Sequence, residues 1–220
     1  MFDLDGTLVD SAIDLQNAIN YAVGPFNIQP VTVEETRSLV GEGLARLMEK
    51  VVEKGMQSSA DRMRLDDGQK LIDTLVERFT EHYWAHIVDN TRPYPFVMET
   101  LNDLHEFKKA VVSNKREGPS SIVLNALGLA AYMDMIVGGD TAADKKPSPV
   151  PIRHVLDKFG LKPEEAVIVG DSDIDIEAGK AAGIFTVGAT WGYRPLELLK
   201  DADFLINGMH ELPGILRAIT

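Results

Sequence analysis

The chain opens Met1-Phe-Asp-Leu-Asp-Gly-Thr-Leu-Val-Asp-Ser11, and the reading of these residues decides the fold. Two apolar residues run straight into Asp3. A second carboxylate, Asp5, follows two positions later, then Gly6 and Thr7. Carboxylates this close repel, so at least one should carry a raised pKa unless a cation sits between them. A solvated turn would also use Asp and Gly. Further stretches bear on the choice. Ala110-Val-Val-Ser-Asn114 is an apolar run ending at Ser113. Lys145-Lys-Pro-Ser-Pro149 sets two ammonium groups beside prolines. Ala166-Val-Ile-Val-Gly-Asp-Ser-Asp-Ile-Asp175 is an apolar run ending in acids. In open parallel α/β sheets, ligands bind beyond the carboxyl ends of the strands. The runs therefore predict that Asp3, Ser113 and Asp171 reach one edge of one sheet.

The pattern around these runs predicts the architecture. From Pro95 onward, helix and strand signals alternate: strands at Ala110–Ser113, Met135–Val137, Ala166–Val169, Ile184–Val187 and Asp203–Ile206 are separated by helical stretches. Such alternation argues an α/β fold, a doubly wound parallel sheet with helices on both faces. Between Ser11 and Thr91 the apolar periodicity is helical throughout; Leu71, Ile72, Leu75, Val76, Phe79, Tyr83 and Trp84 mark one helix of that block. The first strand precedes the block but belongs to the sheet. Residues 1–11 and 92–220 thus form the expected core, and residues 12–91 an inserted α-helical cap. Only Met1 and Phe2 precede Asp3, whereas buried strands usually run about five or six residues. A further apolar run upstream of Met1 is therefore expected.

Composition narrows the function. The chain has 220 residues, 45% apolar and 25% charged, as soluble globular proteins do. No stretch approaches the ~20 apolar residues of a membrane span, so no membrane partner is expected. There is no cysteine, which excludes disulfides and thiolate metal sites and fits a cytoplasmic protein. A net charge of −12 argues against nucleic acid. An anionic substrate would need a local cation to override that field.

In its motifs the chain resembles the haloacid dehalogenase superfamily of phosphohydrolases. Asp-x-Asp-Gly-Thr stands at Asp3 to Thr7, a strand-end Ser at Ser113, a Lys before Pro at Lys146, and Gly-Asp-x-x-x-Asp at Gly170, Asp171 and Asp175. The motifs occur in order across most of the chain. Within the superfamily it is most similar to the phosphoglycolate phosphatases, through Val40-Gly-Glu-Gly43, Gly138-Gly-Asp with Lys145-Lys-Pro, and Ala181-Ala-Gly183. That branch often carries His after the Lys-Pro; here the position is Ser148.

The resemblance implies a Rossmann-like core with a cap, and Mg²⁺-dependent hydrolysis of a phosphate monoester through an aspartyl-phosphate. The implied substrate is a small phosphorylated acid, foremost 2-phosphoglycolate. A sugar phosphomutase of the β-phosphoglucomutase kind and a pyrophosphatase are the alternatives. Asp3 is implied as nucleophile and Asp5 as general acid and base. An acid at the Asp5 position argues for phosphoester chemistry, because halide leaves without a proton. Asp3, Asp5 through its carbonyl, and Asp171 are implied Mg²⁺ ligands, with hard oxygen donors suited to that ion. Asp175, four residues after Asp171, is expected to ligate through water or to orient Asp171, and Asp173 to face solvent. Thr7, Ser113, Asn114 and Lys146 are expected to bind the phosphoryl group. Gly41, Gly43 and Arg46 are candidates for a substrate carboxylate, against the alternative of a helix-breaking loop and a surface arginine. Trp191-Gly-Tyr-Arg194 is expected to pack its aromatics on the core. The protein is expected to be a monomer or homodimer acting on a small metabolite.

Overall fold

A computed structural model describes residues 1–55 and 68–219. The chain divides into two compact units, Met1–Asp10 with Arg92–Thr220, and Ser11–Thr91.

The first unit is built on a parallel sheet. Its named strands are β3 (Ala110–Val112), β4 (Met135–Val137), β5 (Val167–Gly170), β6 (Phe185–Ala189) and β7 (Phe204–Ile206). β3 pairs with β4, and β5 with β6 and β6 with β7, all parallel. Met1 to Asp3 run between β3 and β5 and join the two halves. Phe2 N–H donates to Ala110 O and Phe2 O accepts from Val112 N, while Asp3 N–H donates to Val169 O. The segment is short, yet both its neighbours are satisfied at Phe2. The spatial order is therefore β4, β3, the opening segment, β5, β6, β7.

The inner strands β3 and β5 read as continuous apolar runs because both their faces are covered. Phe2, Val111, Ile168, Val169 and Val187 are buried. Ala110, Val112, Val137 and Ile168 pack with Ile152, Val155 and Leu156 of helix α7 (Val150–Phe159) and with Ala178 and Ala182 of α8 (Asp173–Ala182). Fully burying an aliphatic side chain contributes about 1.5–3 kcal/mol. A two-residue antiparallel ribbon, β1 (Val9–Asp10) with β2 (Arg92–Pro93), closes the gap left by the intervening residues. Helix α5 (Val97–Asp103) precedes β3, α6 (Glu117–Ala126) follows it, and α9 (Leu212–Ile219) comes last.

The second unit is helical: α1 (Ala12–Val23), α2 (Val33–Leu39), α3 (Leu44–Gly55) and α4 (Gly68–Ala85), with no strand among its described residues. Leu15, Ala18, Ile19 and Ala22 of α1 are buried, as are Leu71, Leu75, Phe79 and Tyr83 of α4, at the spacing of one helix face. Thr32 and Glu35 cap α2 reciprocally. Ser11 precedes α1 but makes no side-chain capping bond. The buried carboxylate of Asp14 instead ties the unit's two ends, accepting from Asn90 N–H, Thr91 N–H and Thr91 Oγ1.

Candidate active site

Where β3, β5 and the opening segment end, their polar residues meet. Asp3, Asp171 and Asp175 each present a carboxylate oxygen within 4.8 Å of the others. Asp3 follows Phe2 in the sheet. Asp171 follows Gly170, the last residue of β5, and Asp175 lies in the first turn of α8. Strand ends aim polar groups outward because the ladder stops there and the chain turns.

Lys146 enters the cluster from its own loop and is only 3% exposed. Its Nζ donates to Asp3 Oδ1 at 2.8 Å and to Asp175 Oδ1 at 2.6 Å. The loop is held by Asn114 Nδ2, which donates to Lys146 O at 2.8 Å. Asp175 Oδ2 accepts from Ser172 N–H and Ser172 Oγ, closing a capping box. Both oxygens of Asp175 thus have protein donors, which makes it an anchor for Lys146 and for the helix start. Asp171 is fixed equally firmly: Oδ1 accepts from Thr7 Oγ1 at 3.0 Å and Oδ2 from Tyr193 N–H at 2.7 Å. Thr7, expected to bind the phosphoryl group, orients Asp171.

Glycines let the backbone crowd this carboxylate. Gly6 has φ +90°, which favours glycine, and a Cβ there would strike Asp171 Oδ2; a Cβ on Gly192 would strike Asp171 Cβ.

Of the two opening carboxylates, Asp3 carries the raised pKa that their spacing predicts, with burial as the largest cause. Burial raises the Asp3 pKa to about 6; Lys146 opposes it, and Asp175 and then Asp5 add to it. Burial raises Asp171 to about 8, helped by the charges of Asp3 and Asp175. Lys146 is held charged: burial works against it, and the carboxylates of Asp175 and Asp3 prevail and raise its pKa. Asp5 faces a second lysine. Lys115 Nζ lies 3.1 and 3.0 Å from its two oxygens. Lys115 had no local signal; its partner is 110 residues away in sequence.

Ser113 and Asn114 follow β3 directly and are buried, Ser113 Oγ accepting from Lys115 N–H at 3.3 Å. The Trp191 loop belongs to the site rather than only to the core. Trp191 Nε1 donates to Thr7 O, and Tyr193 Oη to Asp10 Oδ1, alongside the Tyr193 N–H bond to Asp171. The only sequence hint was its place after a strand. Asp173 is half-buried, not exposed, since the first turn of α8 sits against the end of β5.

Gly41, Gly43 and Arg46 lie in the helical unit. Gly41 and Gly43 take φ +126° and +91° between α2 and α3. Arg46 contacts Glu42, Glu49 and Glu53 of its own segment at 3.9, 2.9 and 3.3 Å. No helix among the described residues is long and apolar enough to cross a membrane.

A family model described as haloacid dehalogenase-like hydrolase matches residues 1–189. A phosphoglycolate phosphatase of Aquifex aeolicus is 43% identical over 214 residues, 96% of this chain and 93% of that protein. One from Chromobacterium violaceum is 34% identical over 98% of this chain and 95% of its own length. The crystal structure of a predicted phosphoglycolate phosphatase from Haemophilus somnus superposes with a TM-score of 0.88 at 30% identity, covering 97% of this chain and 95% of that one.

Proposed function

This chain belongs to the haloacid dehalogenase-like hydrolase family and is a phosphatase, and from that premise we propose that it hydrolyses a small phosphorylated acid, 2-phosphoglycolate, through an aspartyl-phosphate on Asp3. The observation that carries the reading is the cluster of Asp3, Asp171 and Asp175, with Lys146 paired to Asp3 and Asp175. Carboxylates packed so closely, two with raised pKa values, are costly without a further cation. Their hard oxygens fit Mg²⁺, which would be held by Asp3, Asp171 and the Asp5 carbonyl. Bound there, the ion would neutralise charge on the phosphoryl oxygens. Asp175 supports the site by holding Lys146 and the start of the helix through Ser172.

In this reading Lys146 fixes one oxygen of Asp3, and the other attacks phosphorus. The new Asp3–O–P bond forms as the ester P–O bond breaks, and Asp5 gives its proton to the departing alkoxide. The Ser113 hydroxyl and Asn114 N–H receive a phosphoryl oxygen, and Lys146 opposes its charge. Water then attacks the same phosphorus, Asp5 takes its proton, and phosphate leaves with Asp3 regenerated. The names of the relatives favour hydrolysis over the return of the phosphoryl group to a sugar.

Phosphate release from 2-phosphoglycolate, glucose 1-phosphate and pyrophosphate tests the reading. Rapid release from 2-phosphoglycolate, stopped by EDTA and restored by Mg²⁺, is the expected result. Full activity in chelator would overturn the metal, faster release from pyrophosphate the substrate, and isomerisation of the sugar phosphate without release the reaction.

A further inference from the structure

We propose that Lys115 binds the carboxylate of the substrate, an assignment that rests on the phosphoglycolate reading above and names the group that recognises it. Lys115 and Asp5 are each about 10% exposed in their side chains, and the ammonium spans both Asp5 oxygens at 3.0 and 3.1 Å. The backbone around Lys115 is fixed on both sides. Its N–H donates to Ser113 Oγ, and its carbonyl accepts from Gly139 N–H at 2.9 Å.

Lys146 and Lys115 contact different carboxylates of the site. Lys146 serves Asp3 and Asp175, beside the attacking oxygen. Lys115 serves Asp5, the group that meets the departing oxygen. In 2-phosphoglycolate a single methylene separates that oxygen from the carboxylate. A cation seated against Asp5 is therefore within a side chain's reach of it. An ammonium has three donors and serves more than one carboxylate at once, as Lys146 does here. The need for such a cation follows from charge. The chain carries −12 overall, so a substrate with an added carboxylate is repelled unless a local cation receives it. Arg46, the sequence candidate, is engaged by three glutamates of its own segment.

The test compares 2-phosphoglycolate with ethyl phosphate, where a methyl group replaces the carboxylate, in Mg²⁺-loaded wild type, Lys115→Met, Lys115→Gln and Lys115→Arg. Wild type should prefer 2-phosphoglycolate. In Lys115→Met and Lys115→Gln the ratio of kcat/KM for the two esters should fall about tenfold to a hundredfold, the range for losing a charge-assisted hydrogen bond, with the change carried by KM. Lys115→Arg should keep most of the preference. Circular dichroism identifies any variant that fails to fold, and the others still decide the matter. Equal losses on both esters in a folded variant would show that Lys115 only positions Asp5, and would overturn the assignment while leaving the phosphatase reading intact. A wild type that hydrolyses neither ester would overturn that reading and the assignment with it.

Discussion

Lys146 Nζ lies 2.8 Å from Asp3 Oδ1, a buried pair joining residues 143 apart in sequence. The same ammonium holds Asp175, so one positive charge stabilises two carboxylates. Removing one partner of a buried pair leaves its counterpart uncompensated, at a cost of about 3–5 kcal/mol. Lys146→Ala should lose that much stability in urea titrations at pH 7 in chelator. The loss should shrink toward pH 5, where Asp3, whose pKa burial raises to about 6, takes up a proton and no longer needs the ammonium. A stability equal to wild type at pH 7 would show that the pair is not worth its burial.

Asp171 gives a prediction in the opposite direction. Its folded pKa of about 8 lies above the unfolded value, so in metal-free protein the folded state binds the proton more tightly. The resulting destabilisation is absent below the unfolded value near 4, grows as pH rises, and is complete above about 8. Asp171→Asn should therefore melt higher than wild type in EDTA at pH 8, by an amount on the order of a few kcal/mol, and the gap should close toward pH 4. Excess Mg²⁺ should stabilise wild type and leave the variant nearly unmoved. Unchanged melting of wild type with Mg²⁺ would contradict the proposed ligands.

Arg46 separates the helical unit's contribution from that of Lys115. Its guanidinium is already surrounded by Glu42, Glu49 and Glu53. Arg46→Ala should change KM for 2-phosphoglycolate and for a neutral aryl phosphate by the same factor. A rise confined to 2-phosphoglycolate would return the carboxylate to Arg46.

The sheet was legible because its strands are buried on both faces, so Ala110-Val-Val, Val167-Ile-Val and their like are unbroken apolar runs whose ends are unmistakable. That placed Asp3, Ser113 and Asp171 at one edge. What local sequence does not carry is the partner of each side chain. Lys115 reads as one more solvated lysine until the fold sets it against Asp5. Thr7 reads as a phosphate ligand, and only the fold shows that its hydroxyl donates to Asp171. Tyr193 contributes its backbone N–H, which no residue type signals. The raised pKa expected for one of the opening carboxylates falls on Asp3, but its largest cause, burial, which also dominates at Asp171, is set by the fold and not by the neighbouring Asp5.

If Asp3 attacks phosphorus, the steady-state turnover of Asp3→Asn must collapse. Asparagine keeps the size and the acceptor toward Lys146 but cannot form the acyl phosphate. With folding verified by circular dichroism and Mg²⁺ in excess, phosphate release from 2-phosphoglycolate should fall by at least about a thousandfold, as for other covalent nucleophiles. Turnover within about tenfold of wild type would contradict the account, because no loss so small is compatible with a missing nucleophile.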